Sequence, residues 1–149
     1  CQRWRAFGSL IFRNVTTADL IDQGNEKWKR QYIDIIPLCG KFLQDISFFI
    51  AKDSTIIQYI TKYCRNLKKL RIQFEYFLNL KKYCSNLGKL FSVNQKIESI
   101  TIEGMQYDFP TYAICLLELP RDLKELELWS YNRGDDDCDD RTPLKSLEP

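Results

Sequence analysis

The stretch Tyr63-Cys64-Arg65-Asn66-Leu67-Lys68-Lys69-Leu70-Arg71-Ile72 decides how the chain is read. Its end is Leu67-x-x-Leu70-x-Ile72, an apolar anchor followed by two alternating apolar positions. The same phrase precedes it as Leu43-x-x-Ile46-x-Phe48 and follows it as Ile97-x-x-Ile100-x-Ile102 and Leu123-x-x-Leu126-x-Leu128. A weaker copy, Val15-x-x-Ala18-x-Leu20, stands near the start. Alternation at the end of each phrase predicts a short strand, with its apolar residues inward and their neighbours outward.

The first residues of the phrases are 28, 24, 30 and 26 positions apart, a period in the range of about 20–29 that marks leucine-rich repeats. One such unit cannot bury its own apolar face. Stacked units can, and their strands then form a parallel sheet. The expected fold class is α/β, a leucine-rich-repeat solenoid with short parallel strands on the concave side and helices on the convex side. Residues 13–149 form this domain of about five irregular repeats, after a helical end at residues 1–12. Leu144-Lys145-Ser146-Leu147 reads as the start of another repeat, so truncation at the C-terminal end is expected.

The 149 residues suffice for one domain with a sizeable core. A formal net charge of +2, from 22 basic and 20 acidic residues, gives no global pull towards nucleic acid or an anionic membrane. The apolar run at residues 46–51 is far too short to span a bilayer. The chain contains no histidine, which removes Ser-His-Asp and Cys-His catalysis and most zinc sites. No catalytic residue, metal ligand or cofactor is expected, and the chain reads as a non-enzyme. Cys1, Cys39, Cys64, Cys84, Cys115 and Cys138 include no C-x-x-C pair. At repeat-locked positions they read as small buried hydrophobes. Their even number leaves disulfides open.

Between the strands the pattern turns helical. Trp28, Tyr32, Ile35 and Ile36 form the inner stripe of a helix that Asn25 caps and Pro37 stops. Asp53 or Ser54 caps a second, with Ile56, Ile57, Ile60 and Cys64 on one side. Tyr76, Phe77, Leu80, Cys84, Leu87 and Phe91 mark a third, stopped at Asn94. Cys84-Ser85-Asn86-Leu87-x-x-Leu90 imitates a strand phrase, but it lies too close to Ile100 for a complete coil and return. Gly104 marks a bend, and residues 112–119 a short helix ending at Pro120. Arg133-Gly134-Asp135-Asp136-Asp137-Cys138-Asp139-Asp140 reads as a solvated acidic loop. It lacks the sixth-position Gly and twelfth-position Glu of an EF-hand.

Several stretches resemble the F-box and leucine-rich-repeat proteins, substrate receptors of cullin-type ubiquitin ligases. Cys1-Gln2-Arg3-Trp4 looks like the C-x-x-W that ends the F-box. Leu38-Cys39-Gly40-Lys41-Phe42-Leu43-Gln44-Asp45-Ile46 resembles the family's C-G-x-F-L-x-x-L opening, and Cys64-Arg65-Asn66-Leu67 its C-x-N-L repeat start. The resemblance implies a non-catalytic, cytoplasmic or nuclear protein that holds a protein substrate on its concave face. In the family the front of the F-box binds a Skp-type adaptor and, through it, the cullin. That front is absent from this sequence, so the expectation is that the chain does not dock the ligase by itself. The alternative is an extracellular or general leucine-rich interaction domain, supported by the even cysteine count and the sequon Asn14-Val15-Thr16.

The candidate binding residues are the outward ones beside each pair of strand anchors. They are Asp45, Ser47 and Phe49; Lys69, Arg71 and Gln73; Ser99, Thr101 and Glu103; and Glu125, Glu127 and Trp129, with Thr17, Asp19 and Ile21 from the first strand. Lys69 and Arg71 are expected to make a basic spot, and Glu103, Glu125 and Glu127 an acidic one. Phe49 and Trp129 are the candidate aromatic anchors. The alternative is a solvated sheet face with Trp129 tucked under the acidic loop.

Overall fold

The computed structural model describes residues 12–21, 28–52, 54–75, 81–105, 118–131 and 141–146. A short 3-10 turn, Phe12–Asn14, enters β1 (Thr17–Leu20). Helix α1 (Trp28–Cys39) and a second 3-10 turn, Gly40–Phe42, enter β2 (Asp45–Ile50). Helix α2 (Ile56–Tyr63) leads to β3 (Lys69–Phe74), and α3 (Lys81–Val93) to β4 (Ser99–Met105). Strands β5 (Glu125–Tyr131) and β6 (Arg141–Ser146) follow. All six strands lie in one sheet in chain order. The first five are parallel, and β6 runs antiparallel to β5. The fold is therefore α/β.

The strand register follows the sequence phrase. Ala18, Ile46, Leu70, Ile100 and Leu126 stand side by side, and Leu20, Phe48, Ile72, Ile102 and Leu128 form the next inward row. All are buried except the two on edge strand β1, which are half-buried against the same core. The phrase heads Leu43, Leu67 and Ile97 are fully buried. Helices supply the other side of this core through Ile36 and Cys39, then Ile56, Ile57 and Ile60, then Leu87, Leu90 and Phe91. Each large side chain buried this way stabilises the fold by about 1.5–3 kcal/mol. The helices neighbour one another in order, α1 beside α2 and α2 beside α3.

Backbone hydrogen bonds repeat with the units. The Thr16 carbonyl accepts from the N–H groups of Gln44 (2.8 Å) and Asp45 (3.1 Å). Gln44 accepts likewise from Lys68 and Lys69, Lys68 from Glu98 and Ser99, and Glu98 from Lys124 and Glu125, at 2.7–3.2 Å. The same tight turn enters four of the strands, as Val15 N–H to Phe12 O, Leu43 to Gly40, Ile97 to Asn94 and Leu123 to Pro120.

Several expectations hold and others need correction. The strand-like phrase at Cys84–Leu90 lies within α3, as its short distance from Ile100 requires. Asn94 follows α3 directly, and its side-chain amide donates to the Leu90 carbonyl at 3.2 Å. Pro37 does not stop α1, which continues to Cys39. The ring removes a bond to the carbonyl four residues back, and there Ile33 lies exposed. Helix α2 has Thr55 at its N-cap with no side-chain cap bond. The Ser54 hydroxyl instead receives the Ile56 N–H at 3.4 Å. The phrase at Leu144 does not begin another parallel unit, because residues 141–146 turn back antiparallel along β5. Pro143 sits opposite Trp129 there, and a residue without an N–H belongs on such an edge. The helical end at residues 1–11, the cap at Asn25, the helix at 112–117 and the acidic loop at 133–140 lie outside the described residues.

Two glycines permit close approaches. A Cβ on Gly40 would stand 3.0 Å from Tyr63 Cβ and from the Tyr63 carbonyl oxygen, so the turn before β2 lies against the end of α2. Gly104 has φ of +85°, and a Cβ there would come within 2.5 Å of the Phe74 carbonyl oxygen. It forms an irregularity where the β4–β5 register shifts between Glu103 and Met105. Gly104→Ala combines a left-handed backbone with a backbone clash. It is expected to lower unfolding stability by about 2 kcal/mol or more, read as a reduced denaturant midpoint with an unchanged slope.

Candidate functional site

The strand register carries the outward residues into three rows. The first is Thr17, Asp45, Lys69, Ser99 and Glu125, and the second Asp19, Ser47, Arg71, Thr101 and Glu127. The third is Phe49, Gln73, Glu103 and Trp129. Every residue of the expected face thus lies on it, except Ile21, which follows the end of β1. Neighbouring rows are two residues apart along the strand and neighbouring columns about 4.8 Å apart across it. The face is thus a two-dimensional array of side chains.

Its charges are arranged differently from expectation. Glu103 is buried, and it binds the half-exposed Arg71 through one oxygen, at 2.6 Å from Nη2 and 2.7 Å from Nε. Arg71 and Glu103 sit on adjacent strands two residues apart in register, a diagonal that long side chains span. The expected basic spot therefore reduces to Lys69, and the acidic spot to Glu125 and Glu127. Those two carboxylates are held in place. Ser99 Oγ donates to Glu125 Oε2 at 2.9 Å, and Thr101 Oγ1 to Glu127 Oε2 at 3.3 Å. The Trp129 indole N–H also donates to Glu127 Oε2, at 3.3 Å. Trp129 and Phe49 are half-buried. Sequence reasoning misses the Arg71–Glu103 bond because it places the two residues in separate spots. The diagonal becomes visible once the phrases are set in register.

The cysteines divide. Cys39 and Cys64 are buried free thiols, in keeping with their repeat positions. Cys39 Sγ donates to the Ile35 carbonyl at 3.4 Å. Burial raises its pKa, partly opposed by a backbone hydrogen bond. Burial pushes the Cys64 thiol up to about 12, and neighbouring Cys39 adds to the rise while Arg65 opposes it. In both, burial disfavours the thiolate, which is the nucleophilic form. Cys84 is buried too, but it is disulfide-bonded, which corrects its reading as a plain buried hydrophobe. Among the described residues no three His, Cys, Asp or Glu side chains are grouped to hold a metal. No helix among them is long and apolar enough to cross a membrane.

No protein-family model, no curated protein and no solved structure matches the chain.

The Arg71–Glu103 pair is separable from the rest of the face. Arg71→Met strands a buried carboxylate and is expected to cost about 1–3 kcal/mol. Lys69→Met, one row away and exposed, is expected to stay within about 0.5 kcal/mol of the wild type. Adding Glu103→Gln to Arg71→Met should restore part of the loss, so a double-mutant cycle of urea unfolding reads the coupling directly. Additivity of the two substitutions would show that the bond contributes nothing.

Proposed function

We propose that the chain is a leucine-rich-repeat solenoid whose outward sheet face binds a protein, and that it is the substrate-recognition part of an F-box subunit of a cullin-type ubiquitin ligase. The observation that carries the binding reading is the register. It sets Asp45, Ser47, Phe49, Lys69, Ser99, Thr101, Glu125, Glu127 and Trp129 in adjoining rows, clear of the core residues that alternate with them. Their polar groups and two aromatic rings suit a protein partner better than a small molecule, which needs a concave apolar pocket. The chain's lack of histidine supports a non-catalytic role. Support for the ligase reading is the resemblance of Cys1-Gln2-Arg3-Trp4 and the two cysteine-bearing repeat openings, in that order along the chain. A cytoplasmic or nuclear location goes with it.

One observation favours the second reading, an extracellular leucine-rich interaction domain. Cys84 is disulfide-bonded, and structural disulfides persist mainly in oxidising compartments. Asn14 of the Asn14-Val15-Thr16 sequon is also exposed. Buried free Cys39 and Cys64 are compatible with either compartment.

Co-purification of the full-length gene product with a Skp-type adaptor and a cullin is the deciding experiment. Adaptor binding is the expected result. A well-folded full-length protein that ignores the adaptor would sink the ligase reading. Recovery of the Cys84 disulfide and of a glycan on Asn14 from that same protein would then establish the extracellular reading. Within the ligase reading, Trp129→Ala should weaken substrate capture by about tenfold or more while leaving adaptor binding intact.

A further inference from the structure

Charge along one edge of the sheet follows the repeat. The tight turn that enters the strands begins at Phe12, Gly40, Asn94 and Pro120, and its second residue is Arg13, Lys41, Gln95 and Arg121 respectively. Arg65 holds the same place before β3, four residues ahead of Lys69, just as Lys41 is four ahead of its register partner Asp45. Four of these five positions are thus cationic, and all four cations are exposed. The exception, Gln95, donates to the Phe91 carbonyl and accepts the Arg121 N–H, stitching two successive turns.

From turn to strand entry (residues 12–16, 40–44, 64–68, 94–98 and 120–124) the edge holds seven cations and two carboxylates. Its balance is +5, against +2 for the whole chain. Glu98 is bound by Lys124 at 2.7 Å, and Asp122 also lies near Lys124. Among the described residues no carboxylate pairs with Arg13, Lys41, Arg65 or Arg121. Helix C-termini attract cations, and Lys41 and Arg65 follow α1 and α2. Arg13 lies within the 3-10 turn Phe12–Asn14 and Arg121 within the turn that begins at Pro120, so the column follows the turn position. Four strand steps at about 4.8 Å spread it over about 19 Å.

We propose that this edge is a second interaction surface, separate from the outward face, and that it takes an extended acidic protein segment. The strip is one turn wide, and the row on its sheet side holds Asp45 and Glu125 with Lys69 between them. A nucleic-acid duplex laid along it would press its phosphates against those carboxylates, whereas a polypeptide fits within the strip. Single-stranded nucleic acid gains much of its binding from aromatic stacking. Of the edge's two aromatic rings, Phe12 packs against the core, and Phe42 is partnered by Lys41, whose Nζ lies 4.8 Å from its centroid.

The test uses fluorescence anisotropy with three labelled probes, a Glu-rich peptide, a Lys-rich peptide of equal length and a short DNA duplex. The full chain should bind the Glu-rich peptide, more weakly by tenfold or more as salt rises from about 50 to 200 mM. Charge reversal by Lys41→Glu, Arg65→Glu and Arg121→Glu together should abolish it, and the neutral set Lys41→Gln, Arg65→Gln and Arg121→Gln should weaken it at least tenfold. Lys52→Glu, exposed and beyond the far end of β2, should leave it unchanged. Circular dichroism checks that each variant is folded, and the neutral set serves if the reversed one is not. Equal binding of both peptides, no binding, or full binding by the neutral set would overturn the proposal. Tighter binding of the duplex would assign the edge to nucleic acid instead.

Discussion

Four backbone carbonyls hold the architecture in step. Thr16, Gln44, Lys68 and Glu98 each accept two N–H groups from the unit that follows. The bonds are local to the strand entry, yet they determine everything beyond it. A parallel strand is free to slide along its neighbour until something fixes its start, and a slip of one residue would turn every inward side chain outward. Fixing the entry residue of each strand to the same residue of the strand before prevents that slip. Core rows, outward rows and the edge column all inherit their alignment from these pairs of bonds. The side chains at the four accepting positions are Thr, Gln, Lys and Glu. Their diversity is physically sensible, since the backbone makes the bond and the side chain is free to vary.

The apolar phrase reveals the sheet because burial and backbone geometry make the same demand there. Leu67, Leu70 and Ile72 must face inward, so Lys69 and Arg71 must face outward, and alternation admits no other solution. That is why the residues alone point to the outward rows. Where a demand is only one of several, sequence alone misleads. Proline inside a helix usually breaks it, but α1 continues through Pro37 to Cys39, and Ile33, whose carbonyl goes without its partner, is an exposed residue. Leu144 opens a phrase like the others, but orientation is not written in apolar spacing. Antiparallel pairing needs only a connection of suitable length, and residues 132–140 supply one between β5 and β6. Pro143 is the available clue, since it marks an edge rather than the interior of a growing stack.

Charge is less legible than burial because a sum over the chain discards position. A balance of +2 describes neither the outward face nor the edge. The face carries Asp19, Asp45, Glu103, Glu125 and Glu127 against Lys69 and Arg71, with Arg71 and Glu103 neutralising each other. The edge carries the opposite sign. Aligning the phrases and reading down each column would expose both, because stacking converts a repeat position into a line in space. Residue-by-residue reading finds single candidates; column reading finds surfaces.

Two surfaces of opposite sign meet where the strands begin, and under the proposed binding reading they would constrain how a protein partner approaches. A uniformly basic partner is drawn to Glu125 and Glu127 but repelled by Arg65 and Arg121, and a uniformly acidic one meets the reverse. A partner that engages both must itself carry separated charges in matching order. Complementarity of that kind chiefly sets encounter rate and orientation, while fully desolvated aromatic contacts set much of the residence time. The two half-buried rings lie in the third row, at Phe49 and Trp129, two rows from the basic edge. In the proposed binding, steering and anchoring would thus fall on different parts of the molecule. A substitution on the edge should change association rate and its salt dependence, and one at Trp129 should change dissociation.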